Sequence, residues 1–439
     1  MYKKSRAKNA SRNNFKGGNR RKSGKKSPKK FINPEKFINL EVEKLEQKPH
    51  FDESVNFADF DFSEIILENL AKNGFKHPSE IQKTAIPLAL AGRDIVGLSN
   101  TGTGKTIAFI LPILNGLGAQ KNPEKLDFRR ESLEKSRKTA KKSALILAPT
   151  RELAQQISEE FKKFSEKSGV RSALLVGGMN IGGQFRDLKR RPQMIIGTPG
   201  RVKDHIDRGS LDLSKVEFFV LDEADRMLDM GFVNDIREIA SLLPENRQTF
   251  CFSATFDKRV EKIATDFMKN PEIISTSVNQ SAKHIHQNIV EFTDLEHRKN
   301  LLFEILARNE VKKIVIFGET KSGVQKLNDE LEQNGFSSRS IHGDKNQAQR
   351  TRAIKAFRNG NADILVATDV AARGLDIPDV SHVINFDTPN SYEDYIHRIG
   401  RTGRGGKSGS ALTFVKAKKP QDPEVKISNN PRGKASFRK

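Results

Sequence analysis

Val216-Glu217-Phe218-Phe219-Val220-Leu221-Asp222-Glu223-Ala224-Asp225 decides how the chain reads. An apolar, β-prone run ends abruptly in an acidic tetrad. Carboxylates at the end of a buried strand are costly unless they serve a cation or a water molecule. Their complement lies upstream at Gly102-Thr103-Gly104-Lys105-Thr106, behind another apolar run at 94–98. The two strings read as the metal side and the phosphate side of one nucleotide-hydrolysing centre.

Working outward from residues 216–221, further strand-like runs fall at 94–98, 144–148, 172–176, 194–196 and 249–252, with amphipathic helical stretches between them. A second series follows a polar stretch: 287–292, 313–317, 338–341, 364–367, 382–385 and 410–415, with helix-like segments such as 322–334 and 347–359. Such alternation predicts an α/β fold of two tandem parallel-sheet domains, each with helices on both faces. We expect a basic, largely disordered extension over 1–50, a first domain over 51–275, a linker over 276–287, a second domain over 288–415 and a basic tail over 416–439. The segment 119–142, charged and without an apolar face, reads as an exposed insertion. The strings Phe31-Ile32-Asn33 and Phe37-Ile38-Asn39 have the composition of surface-docking snippets.

A chain of 439 residues has room for two or three domains, and 36% hydrophobic with 30% charged residues suits a soluble protein. No stretch approaches the roughly 20 apolar residues of a membrane span. The basic N-terminus lacks the apolar core of a secretory signal. The single cysteine, Cys251, sits in an apolar run and reads as a buried thiol in a reducing compartment, the cytoplasm. The net charge of +22 is unevenly placed: residues 1–30 hold 13 Lys/Arg and no acids, and 416–439 hold 8 Lys/Arg against Asp422 and Glu424. A near-neutral core with basic tails implies a polyanionic partner, nucleic acid above all.

The glycine loop stands between a strand and a helix-like run at 107–114. Its backbone N–H groups and the positive end of that helix would cradle phosphates. Lys105 is expected to reach the β/γ-phosphates and the Thr106 hydroxyl to bind Mg²⁺. Asp222 is expected to hold Mg²⁺, and Glu223 to orient and deprotonate the attacking water. Serine at position 99 departs from the strict phosphate-loop pattern, which wants glycine there.

These strings, together with Gly74-Phe75, Pro78-Ser79 and Ile81-Gln82, resemble the DEAD-box RNA helicases of superfamily 2 over about residues 57–415. The resemblance implies two RecA-like domains, ATP and Mg²⁺ as cofactors, and RNA as the partner. Gln82 offers one donor and one acceptor to adenine, Phe75 could pack on the base, and Phe57 is the upstream aromatic of that group. Thr101, Gly102, Thr103 and Gly104 complete the nucleotide loop. The family usually has Ala-Gln where Ser99-Asn100 stands here, a change that leaves Lys105 and Thr106 intact. By resemblance Arg401 and Arg404 are arginine fingers, Asp376 contacts the ribose, Arg373 lies near the seam between nucleotide and RNA, and Ser253 and Thr255 link the γ-phosphate region to lobe closure.

For RNA, the expected contacts are Pro149, Thr150 and Arg151, then Gly177 and Gly178, then Thr198, Pro199, Gly200 and Arg201. Each group sits at a strand's carboxyl end, where α/β sheets bind ligands. His342 and Gly343, with Asp344, Gln347 and Arg350, and Thr368 are the second-domain counterparts. None of these reads base edges, so binding should be nearly blind to sequence and sensitive to the 2′-OH. The expected activity is RNA-stimulated ATP hydrolysis coupled to local duplex unwinding or RNA–protein remodelling, by a monomer acting on ribosomal or mRNA–protein complexes. Two other readings share the motifs: an ATP-gated RNA clamp, and a DNA motor of the same superfamily, against which the Gln82 group and the tetrad argue.

Deleting 1–30 and 416–439 should weaken RNA binding and flatten its salt dependence, because counterion release scales with the phosphates neutralised. A log–log salt slope identical to that of the full chain would show that the tails are not RNA anchors.

Overall fold

Short aliphatic strands buried on both faces build two separate parallel sheets. The computed structural model describes residues 32–39, 53–99, 102–118, 142–276, 284–308, 312–372, 377, 380–403 and 409–417. The first sheet comprises β1 (Ile95–Leu98), β2 (Ser143–Leu147), β3 (Ser172–Leu175), β4 (Met194–Gly197), β5 (Val216–Leu221), β6 (Gln248–Ser253) and β7 (Glu272–Ser275). Its order is β3-β4-β2-β5-β6-β1-β7. The second comprises β8 (Ile285–Phe292), β9 (Ile314–Gly318), β10 (Ser338–Ile341), β11 (Ile364–Thr368), β12 (His382–Asn385) and β13 (Gly409–Lys416), in the order β10-β11-β9-β12-β13-β8. All pairings in both sheets are parallel.

Successive strand residues point to opposite faces, and each sheet therefore supplies two cores. Ala144 and Ile146 pack with Phe109, Phe161 and Phe252, whereas Leu145 and Leu147 pack with Val202, Phe219 and Met227. In the second sheet Ile314 and Ile316 join Leu302, Leu327 and Phe414, while Val315 and Phe317 join Ile341 and Phe357. Each such aliphatic or aromatic side chain contributes roughly 1.5–3 kcal/mol on burial. Cys251 on β6 is buried as expected, and burial pushes its thiol up to about 12.

The helices that matter for the site are α1 (Glu80–Leu90), α2 (Lys105–Gly116), α3 (Arg151–Phe164), α4 (Pro199–Asp207), α5 (Ala224–Asp229), α6 (Gln347–Arg358) and α7 (Tyr392–Ile399). In the first sheet β6 lies between β5 and β1. The loops leaving β1, β5 and β6 therefore emerge side by side at the carboxyl edge, where open α/β sheets bind ligands.

Each run expected to be a strand is one, with ends moved by a residue or two. Strand β7 was not anticipated: it is a four-residue edge strand with Ile273 exposed, too short to show a period. The expectation of a largely disordered extension through residue 50 needs amending at 32–39. There Pro34–Phe37 forms a 3₁₀ turn and Asn39 pairs with Gln287 on β8. The basic run 1–31, most of the insertion (119–141), linker residues 277–283 and the tail from 418 lie outside the described residues. Among the described residues no helix is long and apolar enough to cross a membrane.

Candidate active site and nucleic-acid interface

The phosphate loop is held from both sides. Ser99 donates its backbone N–H to the Ser253 carbonyl at 3.0 Å, binding the loop after β1 to the end of β6. From the other side, Ser79 Oγ donates to the Thr103 carbonyl at 2.8 Å and Gln82 Nε2 to the Gly104 carbonyl at 3.0 Å. Gly104 has φ +92°, and a Cβ there would lie 2.3 Å from Gln82 Nε2, so any other residue would be strained and would displace the Gln82 amide. Gly102 also has positive φ, Thr106 is half-buried in the first turn of α2, and Lys105 is buried with Nζ donating to the Ser99 carbonyl at 2.8 Å. Thr101 lies outside the described residues.

The aromatic and amide residues expected to meet a base are placed differently. Phe57 is 2% exposed, edge-on to Phe60, and the Phe75 ring packs edge-on against Phe164 at 5.4 Å. Phe57 is thus a core residue, whereas Phe75 is half-buried with one edge packed on the core. Gln82 is buried, with Oε1 accepting from the Ser79 N–H at 2.9 Å in a capping box. Its amide joins the start of α1 to the phosphate loop rather than standing open toward a base.

The acidic tetrad is packed into the sheet edge. Asp222 and Glu223 are 3% and 6% exposed. Burial pushes the Asp222 carboxyl up to about 7, against the pull of Lys105, and Glu223 and Asp225 add to the rise. Glu223 sits at φ 52°, ψ 53°, a left-handed conformation that costs a non-glycine residue roughly 1–2 kcal/mol. Its carbonyl accepts from Arg226 and Met227, so the bend also starts α5. Asp225 accepts from the Ala254 N–H (3.2 Å) and Thr255 Oγ (3.3 Å), while Ser253 Oγ accepts from the Thr255 N–H. Ser253 and Thr255 are thus tied to Asp225, a residue with no assigned role in the sequence reading.

Two buried charges of the first domain find partners across the seam between the domains. Arg226, 3% exposed on α5, donates to Asp394 (3.3 Å) and to His397 Nδ1 (3.3 Å), both on α7, besides Asp229. Glu152, 4% exposed on α3, receives Arg350 Nη2 at 2.9 Å and Gln347 Nε2 at 3.1 Å from α6. Arg401 follows α7, buried, with Nε donating to the His397 carbonyl at 3.3 Å. Arg398 clamps both oxygens of Asp369, at 2.6 and 2.7 Å, beside buried Thr368. Arg404, Arg373 and Asp376 lie outside the described residues.

The expected RNA residues of the first domain come together. The Arg151 guanidinium lies over Gly177 and Gly178, where a Cβ would meet it at 3.2 and 2.1 Å. Arg201 Nη1 donates to the Met179 carbonyl at 3.4 Å. Pro149 precedes Thr150, which caps α3, and Thr198 precedes Pro199 at the start of α4, with open space beside Gly200. His342 in the second domain is buried against Gln325, and burial holds its pKa below the usual imidazole value. Gly343 packs under the Lys321 side chain. The roles of Glu152, Asp225, Arg226 and Arg398 are what sequence reasoning missed; each stands among other polar and charged residues, so no local signal sets it apart.

Residues 79–263 match the DEAD/DEAH box helicase family and 297–406 the helicase conserved C-terminal domain. The chain is 44% identical over 360 residues to DEAD-box ATP-dependent RNA helicase 30 of Arabidopsis thaliana, and 43% identical over 361 residues to ATP-dependent RNA helicase CshA of Listeria monocytogenes. Each match takes in 82% of this chain, and the chain spans 59% and 66% of the length of those relatives. A structure of S. cerevisiae Dbp5 bound to RNA and ADP–BeF3 superposes with TM-score 0.70 at 33% identity, covering 83% of this chain and 90% of that one. Mss116 bound to single-stranded RNA and UDP–BeF gives 0.71 at 29% identity, covering 84% and 76%. The chain belongs to the DEAD-box helicase family, and its two parallel-sheet domains are the RecA-like pair.

Asp222 makes a pH-dependent prediction. Its folded pKa of about 7 exceeds the ordinary 3.8, so the folded chain holds an extra proton between those values. Stability is therefore lost as pH rises through that window. Asp222→Asn should raise the melting temperature of the nucleotide-free, metal-free protein by a few degrees at pH 8 and by little near pH 4.5. An equal shift at both pH values would contradict a buried, uncompensated carboxylate.

Proposed function

We propose that the chain is an ATP-dependent RNA helicase in which RNA-stimulated hydrolysis of ATP to ADP and phosphate drives local strand separation or RNA–protein remodelling. The observation that carries this reading is the division of one centre between two domains. Lys105, Asp222 and Glu223 stand at one sheet edge, and Arg401 follows the helix that Arg226 grips across the seam.

In this reading Gly102, Thr103, Gly104 and Lys105 hold the β/γ-phosphates. Thr106 and Asp222 suit Mg²⁺, because a hard cation takes oxygen ligands and a carboxylate as crowded as Asp222 is relieved by positive charge. When bound, Mg²⁺ would neutralise charge on the phosphate oxygens. Glu223 aligns the attacking water and takes its proton, its strained backbone aiming the carboxylate from the end of β5. Arg401 and Arg404 stabilise charge developing on the γ-phosphate; such fingers are worth roughly 10³–10⁵ in rate in other nucleotidases. Gln82 holds the loop through its bond to Gly104, and Asp376 holds the ribose. Asp225 with Ser253 and Thr255 transmits the state of the phosphate site to the seam.

RNA would lie over Arg151, Gly177–Gly178 and Arg201 on the first domain, and continue past His342, Gly343 and Thr368 on the second. Such contacts address sugar and phosphate, so binding is largely independent of sequence. A monomer acting in the cytoplasm, on ribosomal or mRNA–protein complexes, fits the basic tails and single buried thiol.

Steady-state phosphate release with and without RNA tests this. Turnover should rise with RNA and not with DNA. Glu223→Gln should keep ATP and RNA affinity within about threefold while losing roughly 10²–10⁴ in turnover. Near-parental hydrolysis by that variant, or no response to RNA, would sink the reading.

A further inference from the structure

Residues 32–39 precede the first domain in sequence yet pack on the second. Phe37 is fully buried in a cluster with Ile285, Tyr395, Ile399 and Ala411. The Phe37 and Tyr395 rings lie 4.7 Å apart, centroid to centroid. Asn39 exchanges both backbone hydrogen bonds with Gln287: its N–H donates at 2.8 Å, and its carbonyl accepts at 2.9 Å. Strand β8 is an edge of its sheet, so the bridge covers part of an otherwise open row of backbone groups. The segment is locally preorganised, with Pro34 opening the 3₁₀ turn and Asn33 Oδ1 accepting from the Glu35 N–H at 3.2 Å. The segment thus holds the second domain non-covalently while being continuous in sequence with the first, a tether separate from the connection between β7 and β8.

The helix this segment covers is α7. Its Tyr395 and Ile399 face the segment, while Asp394 and His397 meet Arg226, Arg398 clamps Asp369, and Arg401 follows directly. Tyr395 Oη also donates to Gln287 Oε1 at 2.8 Å, joining the helix to the residue that pairs with Asn39. A helix of eight residues has little rigidity of its own. Displacements near 1 Å at a catalytic group can cost on the order of a hundredfold in rate.

We propose that residues 32–39 are an intramolecular strap that positions α7, and with it His397 and Arg401, for ATP hydrolysis. Phe37, Asn39 and Tyr395 are positioning residues that touch no substrate. The inference rests on the reading of Arg401 as a finger.

The test uses the full chain carrying Phe37→Ala, Asn39→Pro (which removes the N–H given to Gln287) or the conservative Phe37→Leu. Hydrogen exchange at the Gln287 amide reports docking, and RNA-stimulated turnover reports positioning. Phe37→Ala and Asn39→Pro should both lose protection at Gln287 and lower kcat roughly tenfold, with KM for ATP within about twofold. Phe37→Leu should recover most of both. Unchanged kcat once protection is lost, or a change confined to KM, overturns the strap while leaving the helicase reading intact. An unprotected Gln287 amide in the parent chain overturns the docking itself. A parent chain without RNA-stimulated turnover overturns the functional reading and the positioning claim together.

Discussion

Glu152 is a buried carboxylate bound by Arg350 and Gln347, both of the other domain. An isolated buried charge is costly, and removing one partner of a buried pair is far more damaging than never having built it. Arg226 states the same constraint in the opposite sign, with two of its three acceptors on α7. The first domain therefore carries buried charges that have partners on the second. Docking is what brings the helix leading to Arg401 beside the edge that bears Lys105, Asp222 and Glu223. Buried charges paired across the seam tie the placement of the two domains to the geometry of the site.

Within the first domain, a chain of short polar contacts runs across the sheet edge. Ser79 and Gln82 hold the phosphate loop, Ser99 joins it to Ser253, and Asp225 ties Ala254 and Thr255 to the tetrad. These bonds link the loops after β1, β5 and β6 into one unit, so a ligand that moves any of them is felt by the others. The strain at Glu223 belongs to this unit: the sharp left-handed bend there also starts the helix carrying Arg226.

Much of the architecture was legible because parallel strands buried on both faces are near-continuous apolar runs. That local signal marks 144–148 or 364–367 without knowledge of any neighbour. The phosphate loop and tetrad were legible because their chemistry forces a particular residue order over a few positions. The cross-domain pairs were not, since Glu152 and Gln347 are 195 residues apart and nothing local distinguishes Glu152 from an ordinary first-turn carboxylate. Phe57, Phe75 and Gln82 were assigned to a base by motif, while their packing depends on Phe60, Phe164 and Gly104 in three dimensions. The docking of Phe37 was hidden for a similar reason, because an isolated aromatic in a basic extension carries no period.

The most direct test is a double-mutant cycle on Glu152 and Arg350, read as RNA-stimulated turnover of Glu152→Ala, Arg350→Ala and the pair. If docking of the domains assembles the centre through this buried contact, the losses are strongly non-additive. The double variant is then little worse than either single one, with a coupling on the order of 1–3 kcal/mol. Losses that simply multiply would show that Glu152 and Arg350 act separately, and would contradict a centre assembled across the seam.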